Sequence, residues 1–332
     1  MPERSRPTSH DVARAAGVSQ STVSLVLSGR WAGRVSEATA ERVRRSAEGL
    51  AYQPNLAARA LRLERAGTIL LLVPVLTNPF FGHLHMGVTR AAEQHEIGVV
   101  VCPLQAEDGS GPLPLPRQVL DGVITCSIDD TVSADHLHGL RWVALDSAPA
   151  TTGTVLNMDV ADGMRQSVRH LVGLGHRRLG YIRADRTAWT FETRYAAVLE
   201  ELDRHPGVDL VEMRSTFLMA DIKTHITELL DVDDRPTALL CEDDNFALAG
   251  YRAAHDLGLS IPADLSVVGC DDLPLARLLT PELTTLRLPA EELGRAGVEA
   301  LLGGQPTGAV HDGVPLPTTL IVRGSTAPPP PR

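Results

Sequence analysis

Three groups of residues in this 332-residue chain have types and spacings that could do chemistry. Adjacent carboxylates stand at Asp243-Asp244 and Asp271-Asp272, a pairing that acid–base hydrolysis of a glycosidic bond can use. Histidines alternate at His83/His85 and His136/His138, a spacing open to a metal ion. Gln20 and Ser21 stand at the early outward positions of a short helical pattern, where a glutamine amide can pair with adenine and a serine hydroxyl with several bases. The first two groups lack the rest of their machinery. There is no GxGxxG after a strand pattern, no P-loop, no nucleophile elbow and no HExxH. Neither histidine pair has the Cys or carboxylate cluster of a metal site, so these side chains read as solvated loop residues. No metal, no cofactor and no enzymatic activity are expected; a sugar-binding protein or an α/β enzyme of small polar substrates is the alternative.

The third group needs a scaffold, and residues 8–28, TSHDVARAAGVSQSTVSLVLS, supply one. At helical spacing Val12, Ala15 and Ala16 form one apolar stripe, and Val23, Val26 and Leu27 another. Thr8 and Asp11 have the spacing of a reciprocal N-terminal cap. Gly17 suits the left-handed residue that closes a tight turn, and Ser19 caps the second helix. Two short helices joined by a Gly turn, the second opening on small polar side chains, describe a DNA-reading helix-turn-helix. A helical hairpin at a domain edge is the plainer alternative. A third capped helix is predicted from Ser36 to about Leu50. Charge favours the DNA reading. The net charge is −10, yet residues 1–66 carry 11 Arg against six acids while the remainder carries 20 basic against 35 acidic residues. Phosphates respond to the local balance.

From Thr68 onward, apolar runs at Ile69–Val73, Ile97–Val101, Val119–Thr125, Trp142–Leu145, Arg178–Ile182, Thr237–Cys241 and Leu265–Gly269 alternate with helical patterns. Strands without polar alternation are buried on both faces, as in a parallel sheet covered by helices. Two such units are predicted, at about 67–173 and 176–286, with ligands expected beyond the carboxyl ends of their strands. Cys102, Cys126, Cys241 and Cys270 each end an apolar run without metal-type spacing and read as reduced, part-buried thiols. No apolar run approaches a membrane span and MPERSRPTSH has no apolar core, so a cytoplasmic protein is expected.

In order along the chain, the sequence resembles the LacI/GalR family of bacterial transcriptional repressors. The residues that carry this are Asp11-Val12-Ala13, Ala16-Gly17-Val18-Ser19, Thr22-Val23-Ser24 and YxPNxxARxL at 52–61. They continue with Asn78-Pro79-Phe80-Phe81, Asp121-Gly122-Val123-Ile124, His170-Leu171 with Leu174 to Arg178, Asp264 to Gly269, and Leu283 to Leu286. The resemblance implies a small all-α helix-turn-helix head joined to an α/β effector domain of two parallel-sheet lobes, periplasmic-binding-protein-like, with three chain crossings between the lobes. Gln20, Ser21 and Leu25 would then face base edges in the major groove. Leu25 offers only apolar contact, where relatives often carry Arg, and core packing is its other reading. Thr8, Ser19, Thr22 and Ser24 suit phosphate contact or capping. In the turn at 29–34, Arg34 is a phosphate candidate and Trp31 is open between packing and contact. Tyr52, Asn55, Ala58, Arg59 and Leu61 belong to a hinge, with Leu61 placed to wedge between bases of the minor groove.

The same resemblance assigns effector contacts to Phe80, Asp162, Trp189, Arg194, Asp243 and Asp271, with a sugar as the expected effector. Carboxylates and Arg suit sugar hydroxyls, and Trp189 could stack on a pyranose face. Phe80 and Phe81 could wall the site, or be core. The expected organisation is a head at 1–51, a hinge helix and linker at 52–66, an effector-binding and dimerisation domain at 67–326, and a disordered tail at 327–332. Within that domain, lobe one comprises about 67–173 and 289–316, and lobe two about 176–286 and 317–326. The expected partners are operator DNA, a small effector and a second copy of the chain. One segment departs from the family: Pro103, Pro112, Pro114 and Pro116 fill the connection at 102–118 where a full helix is usual.

Overall fold

Helix α1 (Ser9–Ala16) starts where Thr8 and Asp11 cap each other: the Thr8 N–H donates to Asp11 Oδ2 at 2.9 Å and the Asp11 N–H to Thr8 Oγ at 3.4 Å. Gly17 ends it at φ 63°, the left-handed region that costs glycine little. Helix α2 (Gln20–Leu27) follows, then α3 (Glu37–Gly49), whose first turn is capped by Ser36. The computed structural model describes residues 7–27, 29–52, 66–104, 120–128, 137, 139–149, 154–303 and 314–331, which divide into two units, 1–66 and 67–332. The three head helices enclose a core of small side chains: Val12, Ala13, Ala16, Val23, Val26, Ala40, Val43 and Ala47. Ala15, expected on the buried stripe, is exposed, and Ala13 takes its place. Trp31 packs against this core with the Arg44 guanidinium 5.2 Å over its ring.

Among its described residues the second unit holds two sheets. The first contains β1 (Thr68–Val73), β2 (Gly98–Pro103), β3 (Gly122–Cys126), β4 (Trp142–Leu145) and β5 (Thr154–Leu156), all parallel in the order β2-β1-β3-β4-β5. The second contains β6 (Arg178–Ala184), β7 (Asp209–Ser215), β8 (Ala238–Cys241), β9 (Ser266–Asp271), β10 (Thr284–Arg287) and β11 (Thr319–Ile321), in the order β11-β10-β9-β8-β6-β7. Among the described strands only β11 runs antiparallel to its neighbour. Every residue of β3, β8 and β9 is buried, as expected for strands covered on both faces.

Helix α4 (Pro79–Glu93) packs on the first sheet against α9 (Ala290–Leu301). Gly87 and Gly294 make this packing possible. A Cβ on either would collide with backbone of the other helix, so the two backbones touch there. Helices α6 (Trp189–Leu202), α7 (Met219–Leu230) and α8 (Asp244–Asp256) pack on the second sheet. His83 and His85 lie on α4, not in a loop, and His85 Nε2 is 3.1 Å from Thr89 Oγ.

Two expectations need correction. Helix α5 (Val160–Gly173) belongs to the second lobe, not the first: it packs on α6 and β11, and its Gln166 accepts from the Leu320 N–H at 3.1 Å. The glycines near 173–175 mark the end of a helix, not of a lobe. The tail is held as well. Ser325 is buried between the Thr284 N–H and the Val267 carbonyl, and the Ala327 carbonyl accepts from Ser266 Oγ at 3.0 Å. A proline run needs no hydrogen bonds of its own, and beyond the anchored Ala327 the ring of Pro329 lies beside Gly175.

The chain leaves the first lobe after β5, returns at α9 and leaves again before β11. Met158 and Leu316 pair side by side at two of these crossings. All four cysteines are free. Among the described residues no helix is long and apolar enough to cross a membrane. The hinge residues Asn55, Ala58, Arg59 and Leu61, and the Pro-rich connection beyond Leu104, lie outside the described residues.

Candidate functional site

The outward face of α2 carries Gln20, Ser21 and Ser24, all exposed. Ser19 organises its start: Oγ accepts from the Thr22 N–H at 3.1 Å and lies within 2.8 Å of the Ser21 and Thr22 hydroxyls. Gln20 Nε2 donates to Ser9 Oγ at 2.8 Å. Leu25 is half-buried and does not belong to the head core. The Thr8 hydroxyl is engaged by Asp11 at 2.7 Å, Arg34 is exposed after the Trp31 turn, and Tyr52 packs against the head core.

In the larger unit, polar side chains converge at the carboxyl ends of strands from both lobes. Asn78, after β1, caps α4 and also donates through Nδ2 to Asp243 Oδ2 at 3.2 Å, a direct bond between the lobes. Arg194 projects from α6, buried, and donates to the Glu242 carbonyl at 2.9 Å with Glu242 Oε1 3.6 Å away. Asp243 caps α8 through the Phe246 N–H. Asp271 ends β9 at φ 109° and Asp146 follows β4 at φ 48°, left-handed backbone that is uncommon without glycine and turns each side chain away from its strand. Asp244 does not reach the cleft; it ties Thr285 Oγ at 2.6 Å and the Leu273 N–H at 2.7 Å.

Burial sets the electrostatics here. It pushes the Glu242 carboxyl up to about 7, despite the opposing pull of Arg194, and Asp244 up to about 8. Asp243 and Asp271 are raised by the same cause, and the neighbouring Asp243 raises Asp271 further. Burial works against the Arg194 charge too, but the surrounding carboxyls of Glu242, Asp271 and Asp146 outweigh it, and the guanidinium stays protonated. Asp146 Oδ1, Thr190 Oγ and Arg194 Nε are buried without a hydrogen-bond partner among the described residues. Such a set offers both acceptors and donors to a ligand carrying several hydroxyls.

The remaining predicted contacts are placed unequally. Phe80 is buried edge-to-face against Phe81 in the first lobe's core. Trp189 is half-buried at the start of α6, and Asp162 stands on the first turn of α5, bonded to Gln166 and Arg169 of its own helix. Sequence reasoning missed Asn78, Asp146, Thr190 and Glu242. Asp146 was findable, since it follows an apolar strand as the ligand rule requires. Elsewhere on the second lobe an open groove of about 530 Å³ is lined by Leu248, Tyr251, Ile261, Leu278 and Leu279, with Leu278 82% exposed. Among the described residues no group of three or more His, Cys, Asp or Glu could hold a metal ion.

Residues 8–55 match the family of bacterial regulatory proteins, lacI family, and residues 168–326 match the periplasmic binding protein-like domain. The chain is 30% identical over 340 residues to the HTH-type transcriptional regulator DegA of Bacillus subtilis, covering 97% of this chain and 99% of that protein. It is 33% identical over 312 residues to a ribose operon repressor of Haemophilus influenzae, covering 89% of this chain and 91% of that protein. The solved Lac repressor dimer bound to operator and the anti-inducer ONPF aligns with a TM-score of 0.81 at 27% identity, covering 97% of this chain and 99% of that one. A complex of the transcriptional regulator CelR with cellobiose aligns with a TM-score of 0.66 at 27% identity, covering 96% of this chain and 100% of that one.

Proposed function

Because the chain belongs to the lacI family of bacterial regulatory proteins and is a helix-turn-helix transcriptional regulator, we propose that it is a cytoplasmic repressor that binds a pseudo-palindromic operator as a homodimer. The observation that carries this is the pairing of two features in one chain: an Arg-rich head with Gln20, Ser21 and Ser24 exposed on α2, and a second unit with a polar cleft between lobes. Gln20, Ser21 and Leu25 read bases; Ser19, Thr22, Ser24 and Arg34 serve the phosphates. Asn55, Ala58, Arg59 and Leu61 act in the minor groove at the operator centre, and the exposed apolar groove beside Leu278 receives the second copy.

The effector is a sugar. The ribose operon repressor and the CelR–cellobiose complex support this class, as does the chemistry of the cleft. Arg194 and Thr190 donate to hydroxyl oxygens, Asp146, Asp243 and Asp271 accept from hydroxyl hydrogens, and Trp189 stacks on the ring. The effector shifts the lobes between two arrangements only by binding one of them more tightly. The Asn78–Asp243 bond joins the lobes in the arrangement described above.

The test is binding to operator selected from random DNA. Full-length protein should bind with submicromolar affinity that falls steeply with salt, through counterion release, and the unit 67–332 alone should not bind. A flat salt response, or equal binding by 67–332, sinks the reading.

A further inference from the structure

Gln20 is the first residue of α2, exposed, and its side chain ends in an amide whose last torsion is broad and whose two ends are nearly equal in shape. Left free, such a group samples many directions and presents donor or acceptor to whatever it meets. In this head it is not free. Its Nε2 donates to the hydroxyl of Ser9, eleven residues earlier, at 2.8 Å. Ser9 is itself well placed to hold a position. It is the first residue of α1, directly after the Thr8 cap, and the Arg42 side chain reaches back to the Ala16 carbonyl at 2.8 Å to tie α1 to α3.

An amide nitrogen carries two N–H bonds. Ser9 accepts one; the other, together with Oε1, remains for DNA. A donor beside an acceptor on one planar group matches adenine in the major groove, which shows the N7 acceptor and the N6 amino donor. We propose that Ser9 is a specificity-positioning residue, whose hydroxyl holds the Gln20 amide so that α2 reads an A·T pair at one position of each operator half-site. Ser9 itself need touch no base. The proposal rests on the reading of the chain as an operator-binding regulator with Gln20 at the DNA.

The experiment selects binding sites from random duplex DNA with full-length protein, comparing the parent, Ser9→Ala, Ser9→Thr, Gln20→Ala and the Ser9→Ala/Gln20→Ala double variant. Alanine suits the first helical position and leaves the Thr8 cap intact, so α1 should persist. The parent motif should hold adenine at one position per half-site. Gln20→Ala should reduce that preference by roughly 5- to 150-fold. Ser9→Ala should reduce it by roughly 2- to 10-fold, the range of one neutral hydrogen bond, at that position alone. Ser9→Thr should keep the preference, and the double variant should match Gln20→Ala. An unchanged Ser9→Ala motif overturns the proposal. So does uniform weakening on all sequences, which would make Ser9 a phosphate contact, or a double variant worse than Gln20→Ala. A silent Gln20→Ala removes the base-reading role and the proposal with it, and a parent that selects no motif removes the operator reading; both differ visibly from a failure at Ser9 alone.

Discussion

The face of α2 and the cleft between the lobes both gather polar side chains, at opposite ends of the solvent scale. On α2, Gln20, Ser21 and Ser24 are exposed and uncharged, and their hydrogen bonds can be exchanged with water. Around Arg194, the carboxyls of Glu242, Asp243 and Asp271 are buried, and each charge must be matched by a partner or neutralised by a proton. The head therefore leaves its binding groups uncommitted to folding. In the cleft the groups proposed to meet the ligand also hold the lobe together. A substitution on α2 should alter what is bound, and one in the cleft should alter binding and folding together.

The largest effect expected is at Arg194. Arg194→Ala leaves Glu242 buried without its cation and should lower unfolding free energy by about 3–5 kcal/mol at pH 8. Denaturant titration at pH 5 should show a smaller loss, because Glu242 takes a proton there. Effector response should vanish while operator binding persists. A loss below 1 kcal/mol at pH 8 would erase the contrast with α2.

The pH dependence is next in size. Glu242 and Asp244 have folded values above their unfolded ones, so the folded state holds protons that the unfolded state releases, and stability falls as pH rises through each folded value. His170 and His176 are shifted the other way by burial, so their contribution is lost only as pH drops below about 6.5. Between pH 6.5 and 8 the larger unit should lose roughly 1–3 kcal/mol. Glu242→Gln should lessen the fall between pH 5 and 7 relative to the parent, and a flat profile in the parent would show that these carboxyls are ionised throughout. The smallest effect is on the head. Gln20→Ala should change thermal stability by under about 0.5 kcal/mol, and calorimetric melting that moves further would mean that the Ser9–Gln20 bond supports the fold.

The same contrast explains what was legible in the sequence. The head was, because caps, a Gly turn and helical periodicity act over three or four residues; only the choice between Ala13 and Ala15 went astray, where adjacent alanines leave the stripe's phase open. Strands buried on both faces were equally plain. The strands β5, β7, β10 and β11 were not: β7 reads DLVEMRS, half-polar at a sheet edge, and β5 and β11 have three residues each. Asn78 belongs to the Asn78-Pro79-Phe80-Phe81 motif, but its bond to Asp243 spans 165 positions, and no local pattern reports a partner so distant. Helix α5 was assigned to the wrong lobe for the same reason, since its partners on β11 lie some 150 residues downstream.

The anchoring of Ser325 and Ala327 also sets an order of assembly. The second sheet keeps an open place beside β10 until β11, some thirty residues later in the chain, has left the ribosome, and Ser266 and His176 wait as long for the Ala327 carbonyl. The head, complete by Tyr52, can fold while most of the chain is still unsynthesised. During translation the protein therefore acquires its DNA-reading half early, and the half that can take a signal only after β11 has emerged.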